Sequence, residues 1–259
     1  MTKARTLILD IETAPILANV WRTWKENVGM DQIRADWYIL SFSAKWLGAK
    51  RVMYFDQSKA KDIEDDTFLM RKLHELLEQA DIVVAHNGRR FDLKKINARF
   101  IIKGFPPPSP YVIVDTLEIA KRHFAFTSNR LAYLTDTLCT EKKLAHAKFP
   151  GFMLWKECLA GNKEAWREMR TYNIQDVVSL EELYLKLRPW AEGHPNVANF
   201  DEPSTPACPK CGSANVIQKG YRHTQVGRYA RYRCNDCGGW ARGRAIHNSK
   251  QQRSNLLIN

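Results

Sequence analysis

The 259 residues carry 40 Lys and Arg against 28 Asp and Glu, a formal net charge of +12 and a pI near 9.5, which excludes an acidic or near-neutral surface. A hydrophobic content of 44% with 26% charged residues is that of one large or two ordinary globular domains, and excludes a wholly disordered chain. No run approaches the roughly 20 apolar residues of a membrane span, and the first residues lead into an apolar strand without a cleavage site, so the chain reads as soluble and cytoplasmic with no membrane partner.

Thr6–Ile11 is a short, nearly continuous apolar run, the pattern of a strand covered on both faces. Tyr38–Trp46 and Val52–Phe55 read as two more strands, joined through Gly48 in an antiparallel pair. Helical spacing then runs through Asp62–Gln79, a strand through Asp81–Ala85, and a helix through Arg90–Ile102 until Gly104 and Pro106–Pro108 stop it. Val112–Val114 is a fifth strand followed by a helix to Lys121. Asn162 caps a long helix that Pro189 closes. The order predicts an α/β domain over residues 1–190: a mixed five-stranded sheet with flanking helices. Residues 191–207, with three prolines and no periodicity, read as a linker, 208–240 as a small cysteine module and 241–259 as a basic, flexible tail.

Three carboxylate segments carry chemistry. Asp10 and Glu12, two apart on the first strand, share a face, where a hard divalent ion is the natural partner for two acids on an otherwise apolar strand. The alternative is a strand that ends early and leaves both acids solvated. His86-Asn87-Gly88 leads through a turn to Asp92 at a helix start, where the acid could equally serve the helix N-terminus. Tyr172 and Asp176, four apart near the apolar stripe of the long helix, face inward, either as part of a site or as a buried Tyr–Asp hydrogen bond.

In order and spacing, Leu9-Asp10-Ile11-Glu12-Thr13, His86-Asn87 through Phe91-Asp92, and Tyr172 through Asp176 resemble the DEDD, or DnaQ-like, 3′–5′ exonucleases, and the tyrosine four before the last Asp resembles their DEDDy branch. The resemblance spans residue 6 to about 188 and implies a ribonuclease H-like fold. It implies two Mg²⁺ or Mn²⁺ ions, with Asp10 bridging, Glu12 and Asp176 completing the first and Asp92 helping to hold the second. Tyr172 would orient the attacking water, because a phenol with a pKa near 10 is a poor base at neutral pH. Asn87 would touch the nucleic acid. Val114-Asp115-Thr116 resembles a further strand end of the family, whose acid is not catalytic.

Cys139 and Cys158 stand alone, whereas Cys208-Pro-Lys-Cys211 and Cys234-Asn-Asp-Cys237 form a CxxC…CxxC pattern. One structural Zn²⁺ held by four thiolates is expected; two disulfides are the competing arrangement, disfavoured in a cytosolic chain. This segment resembles the zinc ribbons of transposases and other DNA-binding proteins. Residues 201–259 hold 10 of the 40 basic and 3 of the 28 acidic residues. Tyr221, Arg222, Arg228, Tyr229, Arg231 and Arg233 interleave rings and guanidinium groups, the composition for stacking on bases and contacting phosphates.

The expectation is a free-standing, metal-dependent 3′–5′ exonuclease whose zinc ribbon helps bind nucleic acid, with single-stranded or frayed DNA preferred and a phage source compatible with the composition. An exoribonuclease on the same site, a transposase-type endonuclease on the same fold, and a recruitment protein using the fold as a scaffold are the rivals.

Overall fold

A computed structural model describes residues 3–143 and 148–258. They form two compact units, one of Arg5–Lys121 with Ala125–Tyr184, the other of the residues from Leu185 on together with Arg122–Phe124 and the residues before Arg5. No helix among the described residues is long and apolar enough to cross a membrane.

In the first unit β1 (Thr6–Thr13) leads through a small ladder of β2 (Leu17–Ala18) and β3 (Ile33–Ala35) to β4 (Ile39–Trp46) and β5 (Met53–Asp56). There follow α1 (Thr67–Leu77), β6 (Ile82–Ala85), α2 (Asp92–Ile102), β7 (Val112–Asp115) and α3 (Thr116–His123). Then come α4 (Leu131–Leu138), α5 (Met153–Leu159) and α6 (Lys163–Leu187). The five-stranded sheet has the order β5-β4-β1-β6-β7. β5, β4 and β1 run antiparallel; β1, β6 and β7 run parallel. This is the mixed sheet with flanking helices expected from the sequence.

The central place of β1 explains its apolar run: Leu7, Ile8 and Leu9 are fully buried. Its alternation separates two tasks. Leu7, Leu9 and Ile11 join Phe42, Leu69, Leu73, Ile96 and Phe100 in the core under α1 and α2. Asp10 and Glu12 belong to the other face. Opposite them on β4 stand the small, fully buried Ser43 and Ser41, so β4 itself sets no bulky side chain against the carboxylates. That face carries a second apolar cluster, in which Leu40 and Tyr38 pack with Leu154, Trp166 and Met169 of α5 and α6.

Three sets of polar contacts fix the helices. Arg99 of α2 grips Asp66 through two bonds of 2.6 and 2.7 Å, and Asp66 also accepts from the Ile39 amide at 3.0 Å. α6 begins at Asn162, whose Oδ1 accepts from Glu164 N at 2.9 Å, the cap the sequence predicts. Further along, Glu181 of α6 pairs with Lys45 and accepts from Gly48 N at 2.7 Å, setting the helix along the sheet.

The second unit is a three-stranded antiparallel sheet, β10-β9-β8, of β8 (Val216–His223), β9 (Arg228–Cys234) and β10 (Trp240–Ile246), followed by α7 (Lys250–Ser254). Two expectations change here. The module does not end at residue 240: Trp240, Ala241 and Arg242 pair with Arg233, Tyr232 and Arg231, so the first part of the expected tail, to Ile246, is a strand. Its arginines mimic a solvated tail in composition, yet alternate along an edge of β9. The expected linker is also structured in part. Val197–Phe200 forms a 3-10 turn capped by Asn196, and Val197 N donates to Pro209 O at 2.9 Å.

Candidate active site and cysteine cluster

Asp10 and Glu12 of β1 and Asp176 of α6 bring carboxylate oxygens within 4.8 Å of one another. Asp92, the first residue of α2, lies beside them, its Oδ1 accepting from the Ile11 amide at 3.2 Å. Tyr172, one turn before Asp176, donates its hydroxyl to that carboxylate. The strand alternation and the i, i+4 spacing thus bring these five residues to one place.

Three further residues belong to the site and were not singled out from sequence. Asn173 Nδ2 donates to Asp10 Oδ2 at 2.6 Å. Lys143 Nζ donates to Asp176 Oδ2 at 2.7 Å and lies 4.6 Å from the centre of the Tyr172 ring. Trp155 of α5 hydrogen-bonds Glu12 and meets Tyr172 edge-on, ring centroids 6.3 Å apart. Asn173 was readable, since it sits three positions before Asp176 on the same helical face. Lys143 and Trp155 had no periodic signal to mark them.

Burial and mutual repulsion set the electrostatics. Glu12 is pushed up to about 8 by burial and then by the charge of Asp176, against the pull of Lys143. Asp92 is pushed up to about 7 by burial, against the Ile11 amide and its own. Asp10 and Asp176 rise too, burial again first; around Asp10 the charges of Asp176, Glu12 and Asp92 add to it. Burial also raises the Tyr172 phenol, with Asp176 and Glu12 adding to the effect, so it is neutral at physiological pH. Asp176 Oδ1 is buried without a hydrogen-bond partner. Several carboxylates around an orphaned carboxylate oxygen are a donor set suited to a hard divalent cation.

The Asn87 segment is built as a support. Asp115, at the end of β7, accepts from Asn87 N, Arg89 N and Leu117 N at 2.9, 3.2 and 3.0 Å. Asn87 has a left-handed backbone, φ 66°, and at Gly88 a Cβ would meet Ala85 Cβ at 2.3 Å. His86 has both ring nitrogens engaged, by Thr116 Oγ1 at 2.9 Å and Asn129 O at 3.0 Å. The turn therefore aims α2, and Asp92 with it, at β1.

In the second unit the Sγ atoms of Cys208, Cys211, Cys234 and Cys237 lie within 4.8 Å of one another. Cys208–Cys237 and Cys211–Cys234 are each 3.6 Å apart, close to the roughly 3.8 Å that four thiolates at about 2.3 Å from a tetrahedral Zn²⁺ would show. The two halves repeat one geometry. Gly212 N donates to Cys208 O at 2.8 Å and Gly238 N to Cys234 O at 3.0 Å, each glycine at φ near +75°. The cluster fits a zinc ribbon.

Residues 26–188 match the sequence profile of the RNase_H superfamily. The chain belongs to that superfamily. The match begins beyond β1, so it carries Asp92, Tyr172 and Asp176 but not Asp10 or Glu12. Divalent metals are the working ions of RNase H-like nucleases, and the acidic cluster of this superfamily member offers oxygen ligands for them. Among solved structures, the family B DNA polymerase from the hyperthermophilic archaeon Pyrobaculum calidifontis is similar at a TM-score of 0.49 and 13% identity, over 73% of this chain and 26% of the polymerase. The chain thus spans about a quarter of that polymerase's length. No curated protein matches the sequence.

Proposed function

We propose that this RNase H-like protein is a metal-dependent 3′–5′ exonuclease of DEDDy type, acting on single-stranded or frayed 3′ ends with DNA preferred. The observation that carries the reading is the meeting of Asp10, Glu12 and Asp176 within 4.8 Å, with Tyr172 bonded to the last of them. Asp10 would hold both ions, Glu12 and Asp176 the first, and Asp92 the second, directly or through water. When bound, two Mg²⁺ or Mn²⁺ ions neutralise the scissile phosphate, activate the attacking water and stabilise the leaving 3′ oxygen.

The protein's own groups do the rest. Tyr172, held neutral, hydrogen-bonds and orients the water without removing its proton. Asn173 keeps the Asp10 carboxylate turned toward α6. An open cleft of about 540 Å³ is lined by Thr13, Ile16, Trp37, Lys95, Phe152 and Trp155, and reaches the site through Trp155, which hydrogen-bonds Glu12. Its aromatic walls suit the base of a terminal nucleotide, and Lys95, 3.7 Å from the centre of the Trp37 ring, supplies positive charge. Water adds to phosphorus as it gives up a proton to solvent, the bond to the 3′ oxygen breaks and that oxygen takes up a proton from solvent, and a nucleoside 5′-monophosphate leaves a shortened strand with a 3′ hydroxyl.

The test is degradation of 5′-labelled single-stranded DNA and RNA of equal sequence with Mg²⁺, Mn²⁺ or EDTA. A metal-dependent ladder shortening from the 3′ end, absent from Asp176→Ala, is expected, faster on DNA. Cleavage at internal positions, or no cleavage with either metal, would overturn the reading.

A further inference from the structure

The ribbon sheet sorts its basic and aromatic residues onto two faces, and the sorting depends on one bulge. Between Gln218 and Tyr221 β8 advances three residues while β9, from Tyr232 to Ala230, advances two. Gly220, at φ +69°, absorbs the extra residue. Beyond the bulge every side chain of β8 changes face. Arg222 therefore lies opposite Tyr229, on the face of Arg231 and Arg233, which Trp240 and Arg242 complete from β10. Tyr221 and Arg228 fall on the other face, where Arg228 stacks 4.8 Å from the Tyr221 ring centre.

The two faces differ in what covers them. Ala230, Tyr232, Cys234 and Ala241 line a groove shared with Ala198, Pro206 and neighbouring residues of the preceding segment, with Arg242 and Arg244 of the edge strand β10 at its rim. The opposite face is open: Arg222, Arg231 and Arg233 are exposed, and Trp240 is 47% exposed. On it Arg231 packs 4.9 Å from the Trp240 ring centre and Arg242 4.2 Å from that of Tyr229. Strands β8, β9 and β10 contain no Asp or Glu, and no ion pair among the described residues engages these arginines.

We infer that this open face, built by Arg222, Tyr229, Arg231, Arg233, Trp240 and Arg242, is a binding platform for a single-stranded nucleic acid, with bases on the two rings and phosphates on the guanidinium groups. This deepens the nucleic-acid role of the ribbon and does not depend on the nuclease chemistry. Four uncompensated guanidinium groups match a polyanion, which distinguishes the occupant from an ordinary protein surface. Two half-covered rings, each backed by an arginine, match bases whose faces are free, which duplex DNA does not offer. Tyr221 and Arg228, grouped with this set by composition, are excluded from it by the register.

The test uses the full chain in an Asp176→Ala background, so that no hydrolysis competes and the outcome is independent of whether the parent cleaves. Anisotropy would follow labelled 20-nucleotide single strands of DNA and RNA and a DNA duplex. Trp240→Ala should weaken both single strands at least about fivefold and the duplex less than about twofold, while Trp240→Phe keeps the parent affinity. Arg231→Gln with Arg233→Gln should weaken the single strands about tenfold and lower the salt slope by about 1.4, or 0.7 per phosphate. Gln218→Glu with His223→Glu, the same charge change on the other face, should cost less than about threefold. Equal losses from both pairs would reduce the effect to net charge and overturn the proposal. Full affinity in Trp240→Ala, with zinc content unchanged, would overturn it as well and leave the face to a protein partner.

Discussion

Asn173 Nδ2 lies 2.6 Å from Asp10 Oδ2, so the helix that brings Asp176 to the site also orients the carboxylate of the central strand. Asn173 is fully buried, and its own Oδ1 has no hydrogen-bond partner. One amide therefore couples the two elements on which the proposed metal ligands stand. Replacing it by Ala removes the bond and leaves Asp10 free to turn. Asn173→Ala should lower kcat about tenfold to a hundredfold with a weaker Mg²⁺ dependence, and cost about 1–3 kcal/mol of stability. Metal titration of the rate, alongside thermal unfolding, separates the two effects. A stability loss with an unchanged metal dependence would make Asn173 a packing residue only.

The raised carboxylates predict how stability responds to pH. Glu12 moves from 4.5 to about 8 and Asp92 from 3.8 to about 7 on folding, so between those values the folded chain holds protons that the unfolded chain has released. Stability of the metal-free protein should therefore fall as pH rises from about 5 to 8. A divalent ion reverses the sign, because it displaces the same protons and binds more tightly as pH rises. Melting temperatures across pH 5–8.5, with EDTA and with Mg²⁺, should diverge toward high pH. Parallel curves would show that no metal exchanges with these protons.

How far the site could be read in advance follows from where its residues lie. Asp10 and Glu12 were legible because strand alternation gives both one face, and Tyr172 and Asp176 because helical spacing does the same. Asn162 could be seen as a cap for the same local reason. Lys143 and Trp155 reach the carboxylates only by tertiary packing, from a stretch whose two short helices carry little periodicity. β10 was missed because its arginines look like a solvated tail. Which face Tyr221 and Arg222 occupy could not be read at all, since a single bulge at Gly220 exchanges them.

The Arg99–Asp66 pair makes a prediction about the scaffold alone. Asp66 is fully buried and Arg99 is 7% exposed, so loss of one partner strands a charge between α1 and α2. Arg99→Ala should destabilise the chain by about 3–5 kcal/mol, whereas Arg99→Met with Asp66→Leu should recover much of that. Urea unfolding of the three proteins measures it. A loss below about 1 kcal/mol in the single variant would mean that water reaches Asp66.

The cysteine cluster should be separable from hydrolysis. Cys208→Ser with Cys211→Ser removes two of the four sulfurs and should abolish one equivalent of zinc, measured by metal analysis of the purified protein. Affinity for long single strands should fall with it, while hydrolysis of trinucleotides persists. Equal loss of both would make the ribbon part of the catalytic fold.

Tyr172 tests the chemistry most directly. Its phenol is held neutral by burial and by the charges of Asp176 and Glu12, and it donates to the Asp176 carboxylate. A positioning role predicts that Tyr172→Phe lowers kcat about tenfold to a hundredfold while KM and metal affinity stay within about twofold. It also predicts that the kcat–pH profile keeps its shape, because the phenol never gives up its proton in the working range. A proton-abstracting role predicts instead that the alkaline rise of the parent disappears in the variant. Measuring kcat from pH 6 to 10 for both proteins decides between them: a profile that changes shape refutes positioning, and one that only drops in height supports it.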